Sequence, residues 1–206
     1  MYYRLTNDLY ASNFAGLSST PTTGGPWTMG VRSKAHVEEP IQCELHPESA
    51  DPPPDLILTL PIFSTRLIEV LKSAGVKNMD LYQVALNHPG LGRTYTDYRA
   101  VNIIGRIACA DLTQSQYLPG HEPPLMKFDK LVLDETKTLG VPMFRLAEST
   151  RWILVSEQVK QALETAGLRG VRLLSLDGAV STRGGLRWEP RSTPMAGAAE
   201  DSGRQT

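Results

Sequence analysis

Ser64–Val76 reads STRLIEVLKSAGV and Ser156–Leu168 reads SEQVKQALETAGL. Matching residues stand 92 positions apart: Ser64 with Ser156, Leu67 with Val159, Val70 with Ala162, Leu71 with Leu163, and Ala74-Gly75 with Ala166-Gly167. Each copy opens on a serine, whose hydroxyl can accept a bond from an orphan amide of a helix's first turn. Apolar residues then recur at helical spacing on one face. A glycine follows, where a left-handed residue ends a helix at no steric cost. Apolar stretches precede each copy (Leu56–Leu60, Trp152–Val155) and follow it (Leu81–Leu86, Val171–Leu176). The pattern predicts two strand–helix–strand units. Two copies fall short of the roughly three repeats a solenoid needs.

Working outward, Met1–Leu5 alternates and reads as a strand, residues 12–26 as a loop, and Trp27–Val31 and Ile41–Leu45 as short strands. Pro47–Asp55 (PESADPPPD) is extended, because its prolines fix φ and remove amide donors. Asn87-His88-Pro89-Gly90 reads as a turn. Tyr98–Ala110 (YRAVNIIGRIACA) reads as one central strand with Gly105 as a bulge. Phe128–Leu133 and Met143–Leu146 resume the strand pattern. Two helices among about eight to ten short strands predict an α+β fold with a mixed or antiparallel sheet. Residues 1–178 are expected to form one domain, with 179–206 a flexible, polar C-terminal tail.

The 206 residues carry a net charge of −1, with 41% hydrophobic and 21% charged residues. A chain this size can bury roughly 70% of its unfolded surface without a disulfide or metal staple. The balance gives no support to nucleic-acid binding, which draws on a basic excess. No continuous apolar stretch resembles a secretory signal or a membrane span. A cytoplasmic protein with two free, buried thiols, Cys43 and Cys109, is the expectation.

Chemistry-bearing patterns are sparse. Cys43-x-x-His46 with Cys109 and His121 offers zinc-type ligands, but only one pair has ligand spacing. Neither cysteine has the electropositive surroundings of a reactive thiolate. Asp51, Asp55, Asp80, Asp97, Asp111, Asp129, Asp134 and Asp177 are scattered and form no acid/base set. Arg183-Gly184-Gly185 is a single RGG element beside acidic residues. No cofactor motif is present, and none is expected. The better surface candidate is Gly92–Arg99 (GRTYTDYR), where Arg93, Tyr95, Asp97, Tyr98 and Arg99 mix interface-rich residue types. The plainer reading is that its tyrosines close the edge of the core.

Five blocks carry a resemblance: LPIFSTRLIEVL, YRAVNIIGRIACADLTQS, FDKLVLDE, MFRLAESTRWILVSEQVKQAL and AGLRGVRLL. Over Leu56–Leu174 the chain resembles a bacterial immunity-protein family common in myxobacteria and other proteobacteria, first catalogued as a domain of unknown function. Its middle block maps to Tyr98, Asn102, Asp111 and Ser115, and Phe144-Arg145-Leu146 followed by ILVSE is its most specific part. The resemblance implies a non-catalytic antidote that binds and occludes a polymorphic toxin encoded beside it; the residue types of Arg93, Tyr95, Asp97, Tyr98 and Arg99 make them the candidate toxin contacts. Two other readings stay open. One is a small hydrolase using Asp97, Asp111 or His88. The other is a nucleic-acid-associated regulator using Arg93, Arg99 and the arginines at 183–191.

Overall fold

The hydroxyls of Ser64 and Ser156 cap two helices. Ser64 accepts from the amide of Leu67 at 3.1 Å, and Ser156 accepts from that of Val159 at 3.4 Å. Gly75 and Gly167 follow at φ +91° and +59°, ending the helices as the sequence predicts. The computed structural model describes residues 1–8, 15–19, 27–34 and 36–177. The RGG element and the tail expected at 179–206 lie outside them, as does most of the 12–26 loop.

In chain order the elements begin with β1 (Tyr2–Asn7), β2 (Leu17–Ser19), β3 (Ile41–Leu45), β4 (Leu56–Ile57) and β5 (Ile62–Ser64). Helix α1 (Thr65–Ser73), β6 (Met79–His88), β7 (Arg93–Tyr95), β8 (Tyr98–Ile103) and β9 (Arg106–Ile107) come next. Then follow β10 (Gln116–Tyr117), β11 (Phe128–Lys130), β12 (Met143–Leu146), β13 (Ile153–Ser156), α2 (Glu157–Ala166) and β14 (Val171–Leu174). A seven-stranded sheet runs β2-β3-β6-β8-β5-β4 with β7 beside β6. A five-stranded sheet runs β14-β1-β13-β12-β9, and β10 and β11 form a small ribbon. Pairing is antiparallel except β3 with β6 and β12 with β9. This is an α+β domain with mixed sheets.

The two strand–helix–strand units share more than their helices. β5 and β6 flank α1 but do not pair; β8 lies between them, antiparallel to both. β13 and β14 flank α2 and hold β1 between them in the same way. Each is a split β–α–β unit. The registers correspond: Ser64 faces Tyr98 and Ser156 faces Tyr2; Leu81 faces Val101 and Leu173 faces Leu5; Met79 faces Ile103 and Val171 faces Asn7. The 92-residue offset thus runs through strand, helix and strand. The central strands differ in chain order, since β8 follows its unit and β1 precedes its own.

Alternation along these strands builds three apolar clusters. One gathers Leu67 and Leu71 of α1, Val159 and Leu163 of α2, Leu5, Val101, Ile103, Ile153 and Val155, so both helices and both sheets share it. A second backs the large sheet with Ile41, Cys43, Ile62, Val84, Tyr98 and Ala100. The third lies on the outer face of the five-stranded sheet, where Tyr2, Phe144 and Leu154 meet Cys109, Met126, Phe128 and Leu131.

Four expectations need correction. Trp27–Gly30 is a turn: Gly30 has φ +70°, and its carbonyl accepts from Gly105 at 2.9 Å. Residues 17–19 form a strand inside the expected loop. Asn87 and His88 belong to β6, and the turn sits at Pro89–Leu91. Tyr98–Ala110 is not one strand. Gly105 adopts φ +118°, a conformation that favours glycine, and the chain leaves the large sheet there to enter the small one as β9.

The prolines at 52–54 pack more tightly than an extended linker would. Pro53 and Pro54 are buried, and Tyr98 donates to the Pro53 carbonyl at 2.8 Å. Gly170, at φ +69°, comes so close to Pro54 that a β-carbon there would lie 2.5 Å from its Cβ. Beside them Asp55 accepts from the Ser64 hydroxyl and from the Arg169 amide. The segment therefore ties the first unit to the turn that ends α2.

Cys43 and Cys109 are buried in different clusters. Burial pushes the Cys43 thiol up to about 11 and the Cys109 thiol up to about 12, Glu148 adding to the second. Both are expected to be inert to Ellman's reagent at pH 8 in the folded protein and to release two equivalents on unfolding in urea. Fast labelling of either in the folded state would contradict this burial. The raised folded values set the sign of the pH effect. The thiols' stabilising contribution is whole below the ordinary value near 9, and is lost as pH rises through about 11 and about 12.

Candidate functional site

The Gly92–Arg99 segment chosen from the sequence becomes β7 and the start of β8, both antiparallel to β6. Gly92 precedes β7 at φ +60°, closing the turn after Pro89–Leu91, and β7 then pairs back along β6. Arg93 is exposed and bonds Asp51 at 3.0 Å; the Tyr95 hydroxyl donates to the other oxygen of the same carboxylate. Partial burial and that bond raise the Tyr95 hydroxyl above its ordinary value. Arg99 donates to the carbonyls of Thr96 and Tyr98. The Asp97 side chain is exposed, while its carbonyl receives both the amide and the hydroxyl of Thr65 at the start of α1.

Tyr98 is different. It is 4% exposed, its ring meets Tyr95 edge-on, and its hydroxyl is bonded to Pro53. Burial pushes that hydroxyl well up. It closes the core, as the plainer reading has it, but its hydroxyl faces protein and not water. The structure therefore joins Arg93 and Tyr95 through Asp51 and buries Tyr98, while Arg99, next to Tyr98 in β8, takes the other face of that strand. Asp51 is an addition, which scattered acidic positions gave no reason to choose. An ion pair this exposed contributes little on its own, about 0–1 kcal/mol.

The other sequence candidates are dispersed. His88 is buried, with Nε2 2.9 Å from the Ser49 carbonyl. The Asp111 carboxylate accepts from Thr113 and Gln114, which holds it below the usual carboxylate range. His88 ends β6, Asp97 lies between β7 and β8, and Asp111 starts a turn after β9. Among the described residues no three His, Cys, Asp or Glu side chains gather where a metal could sit.

The motif residues that carried the resemblance all anchor loops. Tyr98 holds Pro53, and Asn102 donates to the Val31 carbonyl at 2.8 Å. Asp111 caps its own turn, and Ser115 accepts from Val132 at 2.9 Å. Arg145, 1% exposed, donates to the carbonyls of Thr150 and Trp27. These residues specify the scaffold.

Sequence reasoning missed a second surface. A cleft of about 510 Å³ opens beside β1 and β13, lined by Arg4, His121, Leu125, Lys127, Arg151 and Trp152 among others. The Arg4 guanidinium stacks 4.3 Å above the Trp152 ring. The signal in sequence was weak: YLPGHEPPL showed only as an interruption.

The immunity protein family (Imm11) model matches residues 7–177. The chain belongs to this immunity protein family. No curated protein sequence matches it. The family match begins well before Leu56, so the proline-rich segment falls inside it and not outside, as the resemblance had suggested. Among the described residues no helix is long and apolar enough to cross a membrane.

Proposed function

We propose that this protein neutralises a cognate toxin in the cytoplasm by binding the toxin domain directly and covering its active or substrate site, without catalysis of its own. The observation that carries this reading is the family match over residues 7–177. The hydrolase reading would rest on single residues, Asp97, Asp111 or His88, and His88 is buried with Nε2 against the Ser49 carbonyl. The nearly neutral net charge speaks against phosphate tracking as the means of action. Arg93, Tyr95, Asp97 and Arg99 are proposed as toxin contacts, with Asp51 fixing Arg93 and Tyr95. Protection of the producing cell calls for nanomolar binding or better, about −12 kcal/mol.

Co-expression tests this reading. Cells expressing the toxin domain of the neighbouring gene should grow when this protein is present, and the two should co-purify at fixed stoichiometry. Continued killing by an active toxin, in cells where the protein is folded, would sink the proposal.

A further inference from the structure

One matched pair of positions differs between the two split units where an apolar pair gives way to a cation on a ring. In the first, Leu60 and Ala100 lie on the outer face of the sheet, both sealed in a closed core at 2% and 0% exposure. The 92-residue offset puts Trp152 at the position of Leu60. The strand register puts Arg4 at the position of Ala100, since Ala100 faces Ile62 and Arg4 faces Leu154. An apolar pair in one unit is thus a cation on an aromatic ring in the other, and neither residue is fully buried. A break in local consistency of this kind marks a functional position better than a structural one.

The surroundings point the same way. Lys127 and Arg151 are exposed at the cleft, and no carboxylate lines it. Arg4, Lys127 and Arg151 have no ion-pair partner among the described residues. Arg93, in contrast, is already neutralised by Asp51. Partial burial holds the Arg4 guanidinium below its ordinary value, a cost that an incoming anion would relieve. Tyr117, Leu118 and Leu125 crowd the rim at 40%, 43% and 55% exposure. Tyr117 packs on Phe128 and Phe128 on Trp152, so an aromatic row leads from the rim to Arg4. Unpaired arginines among aromatic and apolar residues have the composition of an interface hot spot.

We propose that this cleft is the anchor site for an acidic segment of the cognate toxin, with an Asp or Glu side chain entering between Arg4, Lys127 and Arg151. This rests on the immunity reading above. A guanidinium held over an indole by its Cζ can still offer N–H donors that match a carboxylate bidentately. Protein is favoured over nucleic acid as occupant. Within the cleft Arg4 covers one face of Trp152 and the Phe128 ring is buried, and the net charge of −1 gives no basic excess for tracking a phosphate backbone.

The test compares Lys127→Glu/Arg151→Glu with Lys72→Glu/Lys77→Glu. The latter has the same charge change at exposed positions on and just after α1. Each is measured for rescue of growth and for affinity to a catalytically inactive toxin domain, with thermal melts confirming folding. Reversal in the cleft should weaken binding by about 100-fold or more and abolish rescue, while the control stays within about threefold. Lys127→Gln/Arg151→Gln should fall between. Cleft variants that bind and rescue like the unmodified protein would overturn the proposal and leave the immunity reading standing. Failure of the unmodified protein to rescue would sink that reading and this inference with it. Binding of a 20-nucleotide single-stranded DNA that competes with the toxin would overturn the protein occupant. So would a dimer that these same substitutions convert to monomer.

Discussion

Asp55→Ala is expected to lower the unfolding free energy by about 3–5 kcal/mol, because two charge-assisted hydrogen bonds worth about 1.5–3 kcal/mol each are lost in a buried setting. Asp55 is 8% exposed. One oxygen accepts from the Ser64 hydroxyl at 2.5 Å and the other from the Arg169 amide at 2.7 Å. Its backbone makes two more bonds, from its amide to the Arg169 carbonyl and from the Ser64 amide to its carbonyl, both at 2.9 Å. Those survive substitution and cap the loss. What the side chain adds is a link between units: Ser64 starts α1, and Arg169 lies just after the glycine that ends α2. Without the carboxylate, the Arg169 amide has lost its acceptor at the point where Gly170 packs on Pro54. Asp55→Asn keeps an acceptor for only one of the two donors and should cost about half as much. Urea unfolding measures both. A cost under about 1 kcal/mol for Asp55→Ala would show that the clamp does not join the units.

This node explains what was legible in the sequence and what was not. Caps, apolar faces and terminal glycines act within a few residues of themselves, so Ser64, Leu71 and Gly167 announce their roles. The strand between the arms of each unit comes from elsewhere in the chain. Tyr98 and Tyr2 take equivalent places opposite the two cap serines. Yet one follows its unit and the other precedes it, and no fixed offset in the sequence joins them. Gly105 illustrates a second limit. A glycine in an apolar run is compatible with a bulge or with a change of sheet, and the partner carbonyl at Gly30 decides between them. The Gly92–Arg99 residues were legible as a group because they are adjacent in sequence. Arg4 and Trp152 were not, since they meet only after β1 pairs with β13.

The second large effect is expected at Arg145, in the segment Phe144-Arg145-Leu146 that carried the family resemblance most specifically. Its guanidinium is almost fully buried and donates to the Thr150 carbonyl at 2.7 Å and the Trp27 carbonyl at 2.9 Å. No carboxylate pairs with it among the described residues, and its Nε has no partner. Burial pushes it down to about 10, so it remains charged at neutral pH. Two effects oppose each other: desolvating a lone cation is costly, and leaving two buried carbonyls unpaired is costly too. The fork geometry decides between them, because a single side chain satisfies two carbonyls from residues 118 positions and 5 positions away. Arg145→Ala should therefore cost about 4 kcal/mol, combining the cavity with the two unpaired carbonyls. Arg145→Met refills much of the volume and isolates the polar part, expected at about 2 kcal/mol. A Met variant more stable than the unmodified protein would show that desolvation outweighs the two hydrogen bonds. The loss should be flat between pH 5 and 8, where both folded and unfolded states keep the proton. Above about 10 the folded state holds fewer protons than the unfolded one, so the stability contribution of Arg145 rises with pH there, opposite in sign to that of the two thiols. Chemical denaturation of the Met and unmodified forms at pH 7 and about pH 11, taken as a difference that cancels the two shared thiols, measures the sign for Arg145.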